Sequence, residues 1–247
     1  HRNILVRCIS MQTIRICDKF AYKSAYKQSS IAPLYPRVAS VIQCKSYCNQ
    51  MEANKLPPLM EFPPIVWPSF VKFIKNWMFA NFIIKPYFEP EFSLNEFIEY
   101  ITKIFSQVVS DALHRSDFKM LDGLVEKEAI NSLKTAVSKL SVSQRQMLAI
   151  DKEDIFYAFP YQVGVIFDES DKRWVEITMC YHVLKGFKQM QDSGNLPPLR
   201  IGDHPEHLDK IFVLNYRFIR EFTKGVEDSW LVNIVNHLQP HTFVKKI

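Results

Sequence analysis

The chain is 247 residues long, 47% hydrophobic and formally +5, which is enough apolar material for one sizeable core and too much for a chain that is disordered throughout. The positive charge is uneven: residues 1–54 hold eight basic and two acidic side chains, leaving 23 basic and 24 acidic over the other 193 residues. A body so near neutral lacks the surplus of Lys and Arg that a phosphate backbone demands, which argues against nucleic acid, DNA included, as its partner.

Cysteine usage divides the chain at the same place. Cys8, Cys17, Cys44 and Cys48 fall in the first 54 residues and Cys180 stands alone in the rest, so no disulfide framework staples the body and a reducing compartment is implied. Residues 1–54 themselves are rich in Arg, Lys, Ser and Tyr and nearly free of acids, the composition of a mitochondrial presequence and disordered leader. From Met11 the basic residues Arg15, Lys19, Lys23 and Lys27 recur every four positions, the spacing of a basic amphipathic helix. Arg37–Ser40 is a candidate processing neighbourhood. The bland alternative is a basic tail that binds RNA or lipid headgroups.

Residues 55–68, KLPPLMEFPPIVWP, hold five prolines, which forbid regular helix and read as an extended connector. A domain then runs over 69–247. Its first helix covers 69–85, with Phe70, Phe73, Ile74, Trp77, Met78, Phe82 and Ile83 at helical spacing. Two lysines inside about seventeen residues make it a poor membrane span. Covering the core is the preferred use of its apolar stripe. The other is to face a membrane or partner, for which Trp67, Phe70, Lys72, Phe73 and Trp77 are the candidate residues.

Pro86 and Pro90 separate that helix from the next, whose start is marked by Ser93 with Glu96 three residues on, a capping-box pattern. It runs to about Leu113 with Phe97, Ile101, Ile104, Phe105, Val108, Val109 and Ala112 on one face. Asp117 caps a short helix through Val125, and Glu128–Leu140 forms another.

After Ile150 the period of the apolar residues changes from 3.6 to 2. Ile155–Phe167 and Trp174–Lys185 make a hairpin through the polar turn 168–173. In the second strand Val175, Ile177, Met179, Tyr181 and Val183 share the apolar face; Glu176, Thr178, Cys180 and His182 share the other, expected to be the solvent face, although Cys180 by itself reads as a small buried hydrophobe. A connection over 186–209 leads to Ile211–Phe222, and Trp230–Asn236 closes the series. Helices followed by an antiparallel meander define an α+β domain, with N-terminal helices packed on a curved antiparallel sheet.

The stretches SDFKMLDGLV (116–125), FIREF (218–222) and DSWLVNIV (228–235), with the prolyl lead-in MEFPPIVWPS (60–69), resemble the Tim-forty-four-like domain family over roughly residues 59–240. The resemblance implies a cone of the nuclear-transport-factor-two-like, cystatin-like type with an apolar pocket between helices and sheet. It also implies a place in the mitochondrial matrix, peripheral to the inner membrane. A subgroup of the family implies two partners, the m-AAA protease and an imported inner-membrane precursor, the regulator subunit of the calcium uniporter, which it would escort through sorting and maturation. Anionic inner-membrane lipid and the mitoribosome are further partners that family members suggest. A ribosomal subunit protein of the same family, tethering ribosomes to the inner membrane, is one alternative, and the near-neutral body argues against it.

No chemistry-bearing motif competes with a binding role. The chain has six glycines, little from which to build a phosphate loop, and GxGxxG, GxSxG and HExxH are absent from it. Cofactors and metals are not expected, and neither is catalysis. The nearest metal-like cluster is Asp203, His204, Glu206 and His207, read as an exposed loop because Pro205 interrupts it. A pocket enzyme of the nuclear-transport-factor-two-like type would use His182 or Glu176 as general base. Under the binding reading, Glu96, Glu99, Asp117 and Asp122 are the acids available to a client's arginines, and the client's apolar stripe is held by the pocket or by the 69–85 helix.

Overall fold

The computed structural model describes residues 55–168, 172–194 and 205–240, without the side chains of Ile104, Phe105, Pro205 and Glu206. The expected leader (1–54), residues 169–171 of the 168–173 turn, the middle of the 186–209 connection, and Asp203 and His204 lie outside the described residues. No helix among those described is long and apolar enough to cross a membrane.

Four antiparallel strands form one meander in sequence order: β1 Ile155–Phe167, β2 Arg173–Leu184, β3 Ile211–Glu221 and β4 Leu231–Leu238. The alternation read from the sequence holds on the inner face. Val175, Ile177, Met179, Tyr181 and Val183 of β2, and Phe212, Leu214, Tyr216 and Phe218 of β3, are all buried in one core. Helices cover that face. While α1 Phe70–Phe79 lies along β1, the covering helices are α2 Leu94–Arg115 and α3 Lys127–Ser138. α2 contributes Phe97, Ile101, Val109, Ala112 and Leu113, and α3 contributes Ala129, Ile130, Leu133 and Val137. The fold is therefore α+β, as the order of the periodicities requires.

The caps explain where the helices begin. Ser93 is extended and its hydroxyl accepts from the Glu96 N–H at 3.5 Å. Asp117 accepts from the Lys119 N–H at 3.3 Å, but the turn it starts is a single 3-10 stretch, Phe118–Leu121, and not a helix to Val125. Four short helices are additional to those expected from periodicity: α4 Val142–Met147, a 3-10 turn Lys152–Asp154, α5 Phe187–Asp192 and α6 Pro205–Leu208. α4 is opened by a complete capping box, with Ser141 and Gln144 each bonded to the other's backbone N–H.

Helical structure does not stop before Pro86. After α1 the chain widens into a π turn, Ala80–Ile84, and a last α turn, Lys85–Tyr87, contains the proline. A proline inside a helix lacks an N–H and pushes against the carbonyl four residues back. A π turn immediately upstream fits that constraint, since it resets the hydrogen-bond register where the α-helical one cannot close.

The largest departure from the sequence reading concerns the five-proline stretch. It is extended, but it is a layer of the fold and not a connector. It crosses the outer face of the sheet along one transverse row, Phe159–Cys180–Asn215–Asn236, whose members are direct neighbours in register. Prolines leave few backbone donors, and side chains of that row satisfy three of those that remain. The Asn236 amide oxygen accepts from Leu59 N (2.8 Å) and Met60 N (2.9 Å), and its NH2 donates to Met60 O (2.9 Å). Asn215 exchanges two bonds with Ile65, each 2.9 Å. Cys180 Sγ donates to Ile65 O at 3.4 Å, and the His182 ring nitrogen Nε2 lies 2.7 Å from Val66 O.

Ile65, Phe159, Cys180 and Val213 form a second small core beneath this strap, joined by Phe62, Val66 and Tyr161. At the strap's start Leu56 and Leu59 enter the main core. The expectation that Glu176, Thr178, Cys180 and His182 face solvent is therefore corrected: Thr178 and Cys180 are buried and the other two half-buried.

Candidate docking surface

α1 lies along β1 and presents its polar side to it. Asn76 is 1% exposed. β1 is irregular between Pro160 and Gln162, where the proline can give no N–H to a ladder. The Asn76 amide fills the gap: its Nδ2 donates to Pro160 O and its Oδ1 accepts from Val163 N, both at 2.9 Å. Lys72 reinforces the seam, with Nζ 3.7 Å above the Tyr161 ring and 3.3 Å from Gln162 Oε1.

Because Asn76 faces in, the aromatic stripe faces out. Trp67 is 71% exposed, Phe70 65%, Phe73 62% and Trp77 54%, and Val71, Ile74, Met78 and Phe82 are exposed with them. The preferred expectation, that this stripe covers the core, is overturned. What decides the orientation is that an edge strand needs hydrogen bonds more than apolar cover. Trp77 and Phe82 meet edge to face at 5.7 Å across the π turn.

Beside the stripe is a groove of about 340 Å³ between α1, the π turn, β1 and the start of α2. Phe73, Trp77, Ala80, Phe92 and Ile98 supply apolar walls, and Asn81, Lys85, Ser93 and Asn95 the polar ones. Its volume falls in the usual range for a site that receives side chains or a small ligand. Continuous exposed apolar surface of this kind marks an interaction site more often than an accident of packing.

The sequence-predicted residues divide accordingly. Trp67, Phe70, Phe73 and Trp77 share the outward surface, while Lys72 is turned to β1. The four candidate acids are exposed but do not form one patch. Glu96 and Glu99 sit in the first turns of α2, and Asp117 and Asp122 follow its far end, about 33 Å away along a 22-residue helix. His182 does not stand free as a base: it bonds Val66 O and is ringed by Trp67, Phe156, Tyr157 and Phe159 at centroid distances of 5.7–6.0 Å. Desolvation by that cage lowers its pKa below 6.5, opposed by the bond to Val66. Glu176 lies 3.6 Å from Arg217.

Residues not anticipated by pattern are the buried polar ones. Ser110 and Tyr216 hydroxyls are 3.5 Å apart, and Tyr216 OH is 2.9 Å from His237 Nε2, all inside the main core. Burial lowers His237 from 6.5 to about 3, with Lys185 adding repulsion, and pushes the Tyr216 phenol up. These groups are stacked and enclosed, and no described groove opens onto them.

The class so defined is an α+β domain with helices on one face of an antiparallel sheet, a prolyl strap on the other, and a large outward aromatic surface. In sequence the chain is homologous to curated proteins named m-AAA protease-interacting protein 1, mitochondrial. Those of Rattus norvegicus and Mus musculus are each 32% identical over 168 residues, and that of Homo sapiens is 29% identical over 175 residues. Each match takes in 66% of this chain and 57% of the relative, so the chain spans a little over half the length of the curated relatives it matches. No family model matches it, and the Tim-forty-four-like resemblance rests on the stretches quoted above.

Proposed function

We propose that this chain is a mitochondrial protein that binds the m-AAA protease, acting by docking and not by catalysis, with the outward face of α1 as its docking surface. The partner comes from the names of its relatives. The surface comes from one observation: α1 turns a polar side to its own sheet and its aromatic side to solvent. Removing about 600 Å² of such surface from water is worth roughly 15 kcal/mol at ~25 cal/mol/Å², most of it offset by association and ordering costs, so binding is reversible and of micromolar order.

The finer reading is of a Tim-forty-four-like domain at the matrix face of the inner membrane. There it accompanies an imported inner-membrane precursor, such as the calcium uniporter's regulator subunit, while the protease is at hand. Membrane proximity then follows from the protease and needs no span of its own. The test is recovery of the protease from mitochondria with wild-type chain and with the Phe73→Asp/Trp77→Asp double variant. Loss of the protease with retained folding supports the reading, and undiminished recovery overturns it. Sedimentation with anionic vesicles in parallel separates direct lipid seating from protein docking.

A further inference from the structure

We infer that the occupant of this surface is an amphipathic helix of the partner carrying acids on one flank and bases on the other, so that it can lie in only one direction. The inference rests on the docking reading above and concerns what docks.

The argument is one of charge at the two edges of the apolar platform. From Ser69 to Phe88 there are three lysines, Lys72, Lys75 and Lys85, and no acid. Lys72 is engaged with β1, which leaves two. At 100° per residue the exposed side chains Phe73, Trp77, Phe70, Ile74, Met78 and Val71 follow one another round about 160° of α1. Lys75 comes next beyond Val71, its Nζ 5.2 Å over the Phe79 ring. That edge is positive at Lys75, whereas Lys85 lines the groove on the other side of the stripe.

The opposite edge is α2. Its groove-facing residues are Leu94, Asn95 and Ile98, with Glu99 one turn beyond Asn95 and Glu91 just before Phe92, both exposed. Glu89, the remaining acid of the connection, is taken by Arg220 at 3.2 Å. The platform thus runs from a lysine edge to a glutamate edge across an apolar floor.

A helix is the shape that fits. The floor presents Phe70, Phe73 or Ile74, and Trp77 at helical spacing beside a groove about 340 Å³ in volume, the arrangement that receives the apolar stripe of a second helix. An anionic bilayer would be repelled by the glutamate edge, and a wholly basic presequence helix by the lysine edge. A helix with carboxylates toward Lys75 and cations toward Glu91 and Glu99 is opposed by neither.

Three synthetic helices of about 18 residues, five turns, with one Leu/Phe stripe in common test this against the purified full chain by fluorescence anisotropy. One has Glu on one flank and Lys on the other, one is Lys on both and one is Glu on both. At low salt the mixed peptide is expected to bind about tenfold tighter than either. With Lys75→Glu both edges become acidic and the all-Lys peptide is expected to overtake it. Equal binding of the three peptides, or preference of the wild type for the all-Lys peptide or for phosphatidylglycerol vesicles, overturns the inference. Those outcomes leave the docking reading standing wherever Phe73→Asp/Trp77→Asp still loses the protease. If that variant keeps the protease, the docking reading itself is the one that fails.

Discussion

Asn215 and Ile65, 150 residues apart in sequence, close a two-bond ring: the Ile65 N–H donates to the Asn215 amide oxygen and the Asn215 NH2 donates back to the Ile65 carbonyl, each at 2.9 Å. Such a ring is what one strand offers another. Here a side chain supplies it, so an extended segment rich in proline is tied down without joining the sheet.

Asn215 is 0% exposed, and Asn215→Ala leaves the Ile65 N–H without its partner and the Ile65 carbonyl with only the weak Cys180 thiol donor. The expected loss is about 2–3 kcal/mol of stability, larger than the mean worth of two hydrogen bonds because the orphaned groups stay buried. Asn236→Ala, which frees Leu59, Met60 and the Met60 carbonyl, is expected to cost a similar amount. Urea midpoints with unchanged slopes check both. A change below about 0.5 kcal/mol in either would mean that its amide bonds to the strap add nothing to the stability of the folded body.

Asn76 gives a sharper test because its two bonds differ in kind. The oxygen accepts from Val163 N and the nitrogen donates to Pro160 O. Asn76→Ala removes both, at a cost of about 2 kcal/mol. Asn76→Asp keeps the acceptor but sets a carboxylate against the Pro160 carbonyl, and is expected to be at least as damaging at neutral pH and milder once the acid is protonated. Phe73→Asp/Trp77→Asp on the opposite side of the same helix is expected to stay within about 0.5 kcal/mol of wild type, since both side chains are already exposed. Thermal melts of the three variants settle the order.

That helix also shows what was legible in the sequence and what was not. The strands were readable because period 2, β-branched and aromatic residues and polar turns agree, and α2 because Ser93 marks its start. The apolar stripe of α1 was readable as a stripe, but a helical wheel identifies two faces without saying which lies inward. That depends on what the helix meets, and β1 at Pro160 asks for an amide. The strap was misread as a connector because proline content reports the absence of helix and says nothing of what covers the extended chain. The signal that pointed to it was on β3 and β4: Asn215 and Asn236 alternate into otherwise apolar strands, and a buried amide needs a partner. The candidate acids are all exposed, and their division between the two ends of α2 is set by helix length, which their residue types do not display.

His237 makes stability depend on pH. Burial holds it neutral, with its pKa lowered from 6.5 to about 3. Between those values the unfolded chain binds the proton and the folded chain does not, so stability rises with pH across the window. Its contribution is fully present above pH 6.5 and is lost as pH falls, at about 1.4 kcal/mol per unit. His182, also lowered by burial, adds in the same direction. His237→Gln keeps an acceptor or donor for Tyr216 OH but cannot titrate. Urea midpoints at pH 7.5, 6 and 5 are expected to fall for wild type and to fall less steeply for the variant. Parallel curves would assign the acid sensitivity to other groups.

Cys180 reports the strap from beneath. It is fully buried, donates to Ile65 O at 3.4 Å, and burial raises its thiol to about 12, with Asn215 opposing the rise. Alkylation needs the thiolate and a path to it. In the native protein both are denied, so an iodoacetamide-type reagent at pH 8 is expected to modify Cys180 only through opening of the strap or of the whole domain. The two routes separate by denaturant dependence, because strap opening exposes little surface and global unfolding exposes most of it. In Asn215→Ala the local route is expected to dominate: labelling of Cys180, followed by peptide mass spectrometry, should quicken by more than tenfold and become nearly independent of low urea. If the rate instead tracks global stability with the full urea slope, the strap and the sheet open as one unit, and the transverse row of side chains is part of the main cooperative core.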